Sequence, residues 1–384
     1  MNDRFSDETL DEMRERGDPE ADAVISAVFA DGETQAVNGL MASLVRNDGI
    51  PSEGLPEVVR AFLTKTSKMP DYESDSVRVA QETFAKYGPE VLVALGFYAL
   101  PAAYAAKKGV QVLYRTAYLA KRPMRRVFET TQMVIDVLSP GGLAPDGAGV
   151  RTAQKVRLMH AAVRHLLLHD PERPWAAELG VPINQEDLAG TLMTFSYLVL
   201  DGLERLNVSL SDAQRESYQH AWGIIARIMG IHADLVPSTV AEAKELTTRI
   251  YKRQIAASDE GKALMTALLE GYEDLLPATF LKGVPRSLVH YFLDADPVTG
   301  SNISDLLGVP PADWTETVLR VAERLIAESE AVFGKDVNPM RLTTRRLGLE
   351  IVDALMSLER GGARPPFRVP ADLRAGWFDQ GATS

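Results

Sequence analysis

Asn184–Leu206 reads NQEDLAGTLMTFSYLVLDGLERL. An asparagine able to cap a first turn opens the stretch, and its apolar residues recur at three and four positions, giving one wide apolar face. That is the pattern of a packed helix. The flanking sequence repeats it. Ser211 with Gln214 forms a capping-box pattern before a helix carrying Trp222, Ile225 and Ile228, and Thr239 with Glu242 does the same before AEAKELTTRIYKR. The same spacing predicts helices over about 76–87, 89–120, 123–138, 151–169, 259–275, 311–333 and 341–359. No alternating run of Val, Ile, Thr and aromatic residues is long enough for a sheet. Breaks fall at NDGIPSEGLP, SPGGLAPDGAGV, HDPERP and RGGARPPFRVPADLRAG, none of them long or biased enough for a domain linker. The expected architecture is all-α: one helical domain over 20–362, with mobile ends at 1–19 and 363–384.

The 384 residues suffice for a substantial core, and their 46% apolar and 24% charged content is that of a globular protein. Forty-one basic against 53 acidic residues leave a net charge of −12, which repels phosphate backbones and argues against nucleic-acid binding. Cysteine is absent. That excludes disulfides, zinc–thiolate sites, cysteine-held iron–sulfur clusters and thiolate-ligated or c-type haem. Any metal chemistry rests on His, Asp, Glu, Lys or Tyr, with six histidines available. The start, MNDRFSDETLDEMRERGDPE, is acidic and shows no signal peptide, so the chain as given reads as cytoplasmic, although a removed leader leaves no trace. The most apolar run, Val91–Ala106, is shorter than the ~20 residues of a membrane span and contains Pro101, so it reads as a buried helix pair.

The chemistry concentrates in Arg122–Asp170. In RTAQKVRLMHAAVRHLLLHD, Val156, His160, Val163 and Leu167 fall at i, i+4, i+7 and i+11, which puts His160 inside an apolar stripe. Such an imidazole is either a core histidine bonded to a neighbour or an axial ligand projecting into a cavity, as in b-type haem proteins. In RRVFETTQMVIDVL, Arg126 and Thr130 share a face that continues into Val134 and Val137. A guanidinium and a hydroxyl on so apolar a face either meet structural partners or line a pocket for a haem propionate, dioxygen or substrate. Other constellations are weaker. No Glu-x-x-His pair exists, His165 and His169 lack a third zinc ligand, and no phosphate loop, Gly-x-Ser-x-Gly elbow or Asp-Asp-x-x-Asp stretch is present.

Arg126, Thr130 and the helix KVRLMHAAVRHLLL after a Gly/Pro loop resemble the latex-clearing protein family, the bacterial rubber oxygenases. That family lies in a wider group containing the membrane-bound fungal oxygenase of mycophenolic acid biosynthesis. The likeness runs over roughly residues 80–280, and HAAVRH with the order Arg126–Thr130–His160 is its specific part. The resemblance implies a globin-reminiscent helical core holding one b-type haem iron, with His160 as proximal ligand and Arg126, Thr130 and Arg164 around the cofactor. It also implies dioxygen as co-substrate and cleavage of a C=C bond to two carbonyls. Where the family has a lysine three residues after the arginine, this chain has Glu129. The earlier helix AAKKGVQVLY offers Lys107 and Lys108 but no acid. Glu129 is therefore the expected base, either facing one of those lysines or acting in a different distal arrangement. The expected substrate is a hydrophobic alkene or isoprenoid, not rubber specifically. The other reading is a helical protein that binds haem or an apolar ligand without turnover.

Overall fold

A computed structural model describes residues 4–31, 55–67, 71–116, 123–275, 283–294, 300 and 302–311. Among these residues the chain is helical. In order, α1 is Asp7–Arg14, α2 Pro19–Ala30, α3 Glu57–Thr66 and α4 Asp75–Ala94, followed by a π-turn at Leu95–Ala99. Then come α5 Leu100–Tyr104, α6 Val110–Arg115, α7 Pro123–Leu138, α8 Ala148–Leu168 and α9 Gln185–Phe195. The remainder is α10 Tyr197–Arg205, α11 Asp212–Ile228, α12 Val240–Gln254, α13 Asp259–Leu275, α14 Val284–Leu293 and α15 Ile303–Leu306. The helices expected at 311–333 and 341–359, and the end at 363–384, lie outside the described residues. No described helix is long and apolar enough to cross a membrane.

Local chemistry sets the helix starts. Asn184 accepts from the Asp187 N–H, and Ser211 and Gln214 exchange both bonds of a capping box. Thr239 accepts from the Glu242 N–H, but the Glu242 carboxylate turns to Ser238 N–H and Arg4 instead of completing the box. The expected single helix over 184–206 is broken at Ser196, with φ −101° and ψ −84°. Ser196 Oγ donates to the Leu192 carbonyl, a back-bond that bends helices, and Tyr218 Oη caps the freed Phe195 carbonyl. Similarly, the boundary expected near residue 88 is a kink within α4 at Tyr87, two residues before Pro89. The helix expected over 89–120 is interrupted by the π-turn and by the turn between α5 and α6.

The core centres on α11, which packs along α4 and buries Tyr218, Trp222, Ile224 and Ile225. Val91, Phe97, Tyr98 and Ala102 join it, so the 91–106 run is core as expected. A smaller apolar cluster lies between α2, α3 and α8.

Residues 4–19, part of the end expected to be mobile, are tied to distant elements. Arg14 on α1 bonds Glu186 at 2.9 Å, Asp187 at 3.1 Å and the Leu179 carbonyl at 2.8 Å. Arg157 on α8 pairs with Asp18 at 2.6 Å. Both arginines are buried. The acidic start finds its cations more than a hundred residues away, which a local reading takes for a solvated tail.

Candidate functional site

α7 and α8 form an antiparallel hairpin closed by the loop SPGGLAPDG. A Cβ on Gly149 would lie 2.7 Å from Val137 Cα and 2.9 Å from the Gly142 carbonyl oxygen, so this glycine lets two backbones touch. The contact sets the rest of the hairpin. Thr130 lies seven residues before Val137 and residue 126 eleven before it, about two and three turns. Both therefore sit on the side of α7 that Val137 presents to α8. On α8, Val156 lies seven and His160 eleven residues after Gly149, again about two and three turns. Thr130 thus comes level with Val156, and residue 126 with His160, about 16 Å from the glycine contact. By this count, three positions that the sequence singles out fall on the facing sides of the two helices.

His160 is half-buried and its Nδ1 is buried. It stands on a wall of apolar side chains. Val156 packs against both apolar clusters, Val163 and Leu167 are buried in the smaller one, and Val134 and Val137 across the cleft are buried in the larger. The expected apolar stripe around His160 and the apolar continuation of the Arg126–Thr130 face are both present. Thr130 and Glu129 are half-buried. The side chain of Arg126 lies outside the described residues. Glu129 is turned about 80° from the Val137 line, toward one side of the cleft. Among the described residues no ion pair joins Glu129 to Lys107 or Lys108; Lys107 is exposed and leaves the helix through its backbone bond to Gln254.

Arg164 is placed elsewhere and leaves the cofactor set. Its Nε donates to Asp22 at 2.9 Å and its Nη1 to the carbonyls of Ile183 at 2.8 Å and Pro182 at 3.3 Å, with 2% exposure. Four residues beyond His160, it is rotated about 40° toward α2, where those partners lie. The His165–His169 pair also has another use. The two rings stack at 4.2 Å, and Phe29 stacks on His165 at 4.6 Å. Burial, and then the neighbouring His169, hold the His165 pKa below the ordinary imidazole value.

One site residue escapes the sequence reading. Asp136, in the run MVIDVL, is buried and accepts from Gln132 Nε2 at 2.7 Å and Thr152 Oγ1 at 2.8 Å, bridging α7 to α8. Among the described residues no group of three or more His, Asp or Glu side chains could hold a metal ion. What the cleft offers is one imidazole in apolar surroundings. That donor set suits a macrocycle that brings its own equatorial nitrogens and takes one axial ligand from the protein.

A family profile described as ER-bound oxygenase mpaB/B'/Rubber oxygenase, catalytic domain, matches residues 82–329. The match spans α4 through the site hairpin and beyond. The chain is 29% identical over 320 residues to a rubber oxygenase of Streptomyces sp. (strain K30), covering 80% of this chain and 74% of that one. A solved structure of latex clearing protein LCP in the closed state aligns with a TM-score of 0.73 at 24% identity, covering 93% of this chain and 94% of the other. That superposition carries the fold.

Proposed function

Because the chain belongs to the ER-bound oxygenase mpaB/B'/Rubber oxygenase family, we propose that it is a haem b-dependent oxygenase that cleaves a C=C bond of a hydrophobic, isoprenoid-like substrate. The observation that carries this reading is the placement of His160. It is a half-buried imidazole on an apolar wall, on the α7-facing side of α8 and level with residue 126. Haem bound there would supply an iron with one open position for dioxygen.

The chain's own residues supply the rest. His160 would hold the iron through one ring nitrogen, the neutral ring being the ligating form. Arg126 and Thr130, on the helix face opposite, offer a cation and a hydroxyl for a propionate or for dioxygen. The buried valines on both helices would keep water out, and an alkene would gain about 25 cal/mol per Å² of apolar surface that it buries. Glu129 stands beside the cleft as the base: a carboxylate oxygen takes an allylic proton and returns it before the products leave. One alkene and one dioxygen make two carbonyls. The overall reaction therefore neither consumes a proton nor needs an external reductant.

The test begins with colour. Protein expressed with adequate iron should carry a Soret band, His160→Ala should lose most of its haem, and His232→Ala should keep it. A colourless wild type, or normal haem content in His160→Ala, overturns the assignment. Turnover is then read as oxygen uptake with a short isoprenoid, with mass-spectrometric detection of carbonyl at both new ends. Stable haem with no uptake across a series of isoprenoids would leave a binding protein instead of an enzyme.

A further inference from the structure

Asp136 is a buried carboxylate whose two side-chain partners are both neutral. It is 6% exposed. Gln132 Nε2 reaches one oxygen from one turn earlier on α7, and Thr152 Oγ1 reaches the other from α8. Among the described residues no lysine or arginine pairs with it. Such a group is a costly way to hold two helices together, since apolar side chains of similar volume pack as well without the desolvation. Direction is what a hydrogen bond adds and apolar packing lacks. Val134, Val137, Val150 and Ala153 are all buried around this hairpin, and beyond the close approach at Gly149 such apolar surfaces carry no directional contact of their own. A slide of one turn, about 5.4 Å, would break the bond to Thr152 and leave the buried Asp136 carboxylate short of a partner.

The position of this bridge matters for the cleft. It sits at the loop end of the hairpin, beside the Gly149–Val137 contact, while His160 and residue 126 lie about three turns away. Helices are stiff over that length, so the register set at one end is delivered to the other. We propose that Asp136 is a positioning residue: through Thr152 and Gln132 it sets the register of α7 against α8, and with it the placement of Glu129 and Thr130 relative to His160. The link to haem rests on the function proposed above; the register itself does not.

The absence of cysteine makes a direct test clean. Spin labels on Ile135→Cys and Lys155→Cys report the α7–α8 separation in haem-free protein by pulsed electron resonance. Asp136→Val should keep a cooperative thermal transition while shifting or broadening that distance. Its haem affinity should fall about 10–100-fold, the usual effect of losing a group that orients a metal ligand. Asp136→Asn, which can still accept from Gln132 and bond Thr152, should restore both readouts. Thr152→Val should reproduce the loss and Thr152→Ser repair it, which keeps the test decisive if Asp136→Val does not fold. An unchanged distance in folded Asp136→Val or Thr152→Val overturns the register role. A shifted distance with unchanged haem affinity and Soret spectrum overturns the link to the site. A wild type that takes up no haem overturns the proposed function, and the distance measurement still decides the register.

Discussion

Substituting alanine for Gly149 tests the geometry on which the site depends, because the competing effects have opposite signs. Away from contacts, Gly→Ala in a helix stabilises, by up to about 1 kcal/mol from propensity and by about 0.4–1 kcal/mol through the unfolded chain. At Gly149 the new methyl would meet Val137 Cα at 2.7 Å, the Gly142 oxygen at 2.9 Å and the Asp136 oxygen at 3.0 Å. All three are backbone atoms and none can rotate aside. Carbon atoms rest at about 3.5–4.0 Å, so the helices must part by nearly 1 Å, and overpacking of that kind costs about 1–3 kcal/mol. Set against that gain, the cost leaves Gly149→Ala between about neutral and 2 kcal/mol less stable in urea titrations of haem-free protein, and without the gain an unobstructed site would show. Gly223→Ala is the control. Its methyl would meet only Val236 Cγ1, at an ordinary 3.9 Å, so this variant should gain stability. A Gly149→Ala protein stabilised as much as Gly223→Ala would mean that the backbones do not touch. The levels assigned to Thr130 and residue 126 against His160 would then fall.

Three further outcomes follow from the structure. Glu129→Gln should keep haem and fold while turnover drops about 10²–10⁴-fold, the usual worth of a general base; full activity in oxygen uptake would remove Glu129 from the chemistry. Glu186 is fully buried and accepts from Arg14, Arg253 and Gln254, so Glu186→Ala should cost about 3–5 kcal/mol in a denaturant titration by stranding buried arginine; a cost under about 1 kcal/mol would show that α1 is not held there. Burial pushes the Asp187 carboxyl up from 3.8 to about 6 against the pull of Arg14, so the native state binds more protons than the unfolded chain between those values. Asp187 thus contributes stability that is lost as pH rises from 4 to 6, and Asp187→Asn should gain on the wild type across that window; a flat difference refutes the shift.

What could be read from the sequence was the chemistry that acts over one or two turns. Asn184, Ser211 and Thr239 mark helix starts because a capping side chain bonds backbone two or three residues on, and each does so here. The interruptions were not readable in the same way. Ser196 bends the helix only because its hydroxyl turns back to Leu192 and Tyr218 covers the carbonyl that the bend frees. A serine in TFSYLVL carries no sign of that distant tyrosine. The helices α1 and α2 went unmarked for a related reason. Their acids look solvated until Arg253, Arg157 and Arg164 come within reach.

The cleft divides along the same line. His160 and the Arg126–Thr130 face could be found because helical periodicity places them, and a Gly/Pro loop between two helices already implies an antiparallel hairpin. Asp136 could not, since an acid in an apolar run reads as a wet position until Thr152 is set against it. Arg164 misled for the converse reason: the resemblance alone set it around the cofactor, but a 40° turn of the helix gives it to α2. That error shows how α8 is held. Arg157 and Arg164 bind one side of it to Asp18 and Asp22, while Gly149 and Thr152 bind the other to α7. His160 therefore stands on a helix fixed on two sides, a mount that would cost it little orientational freedom if it takes up the iron proposed above. A stiff mount for His160 accounts for why buried arginines and a buried aspartate, each costly alone, flank an otherwise apolar stripe.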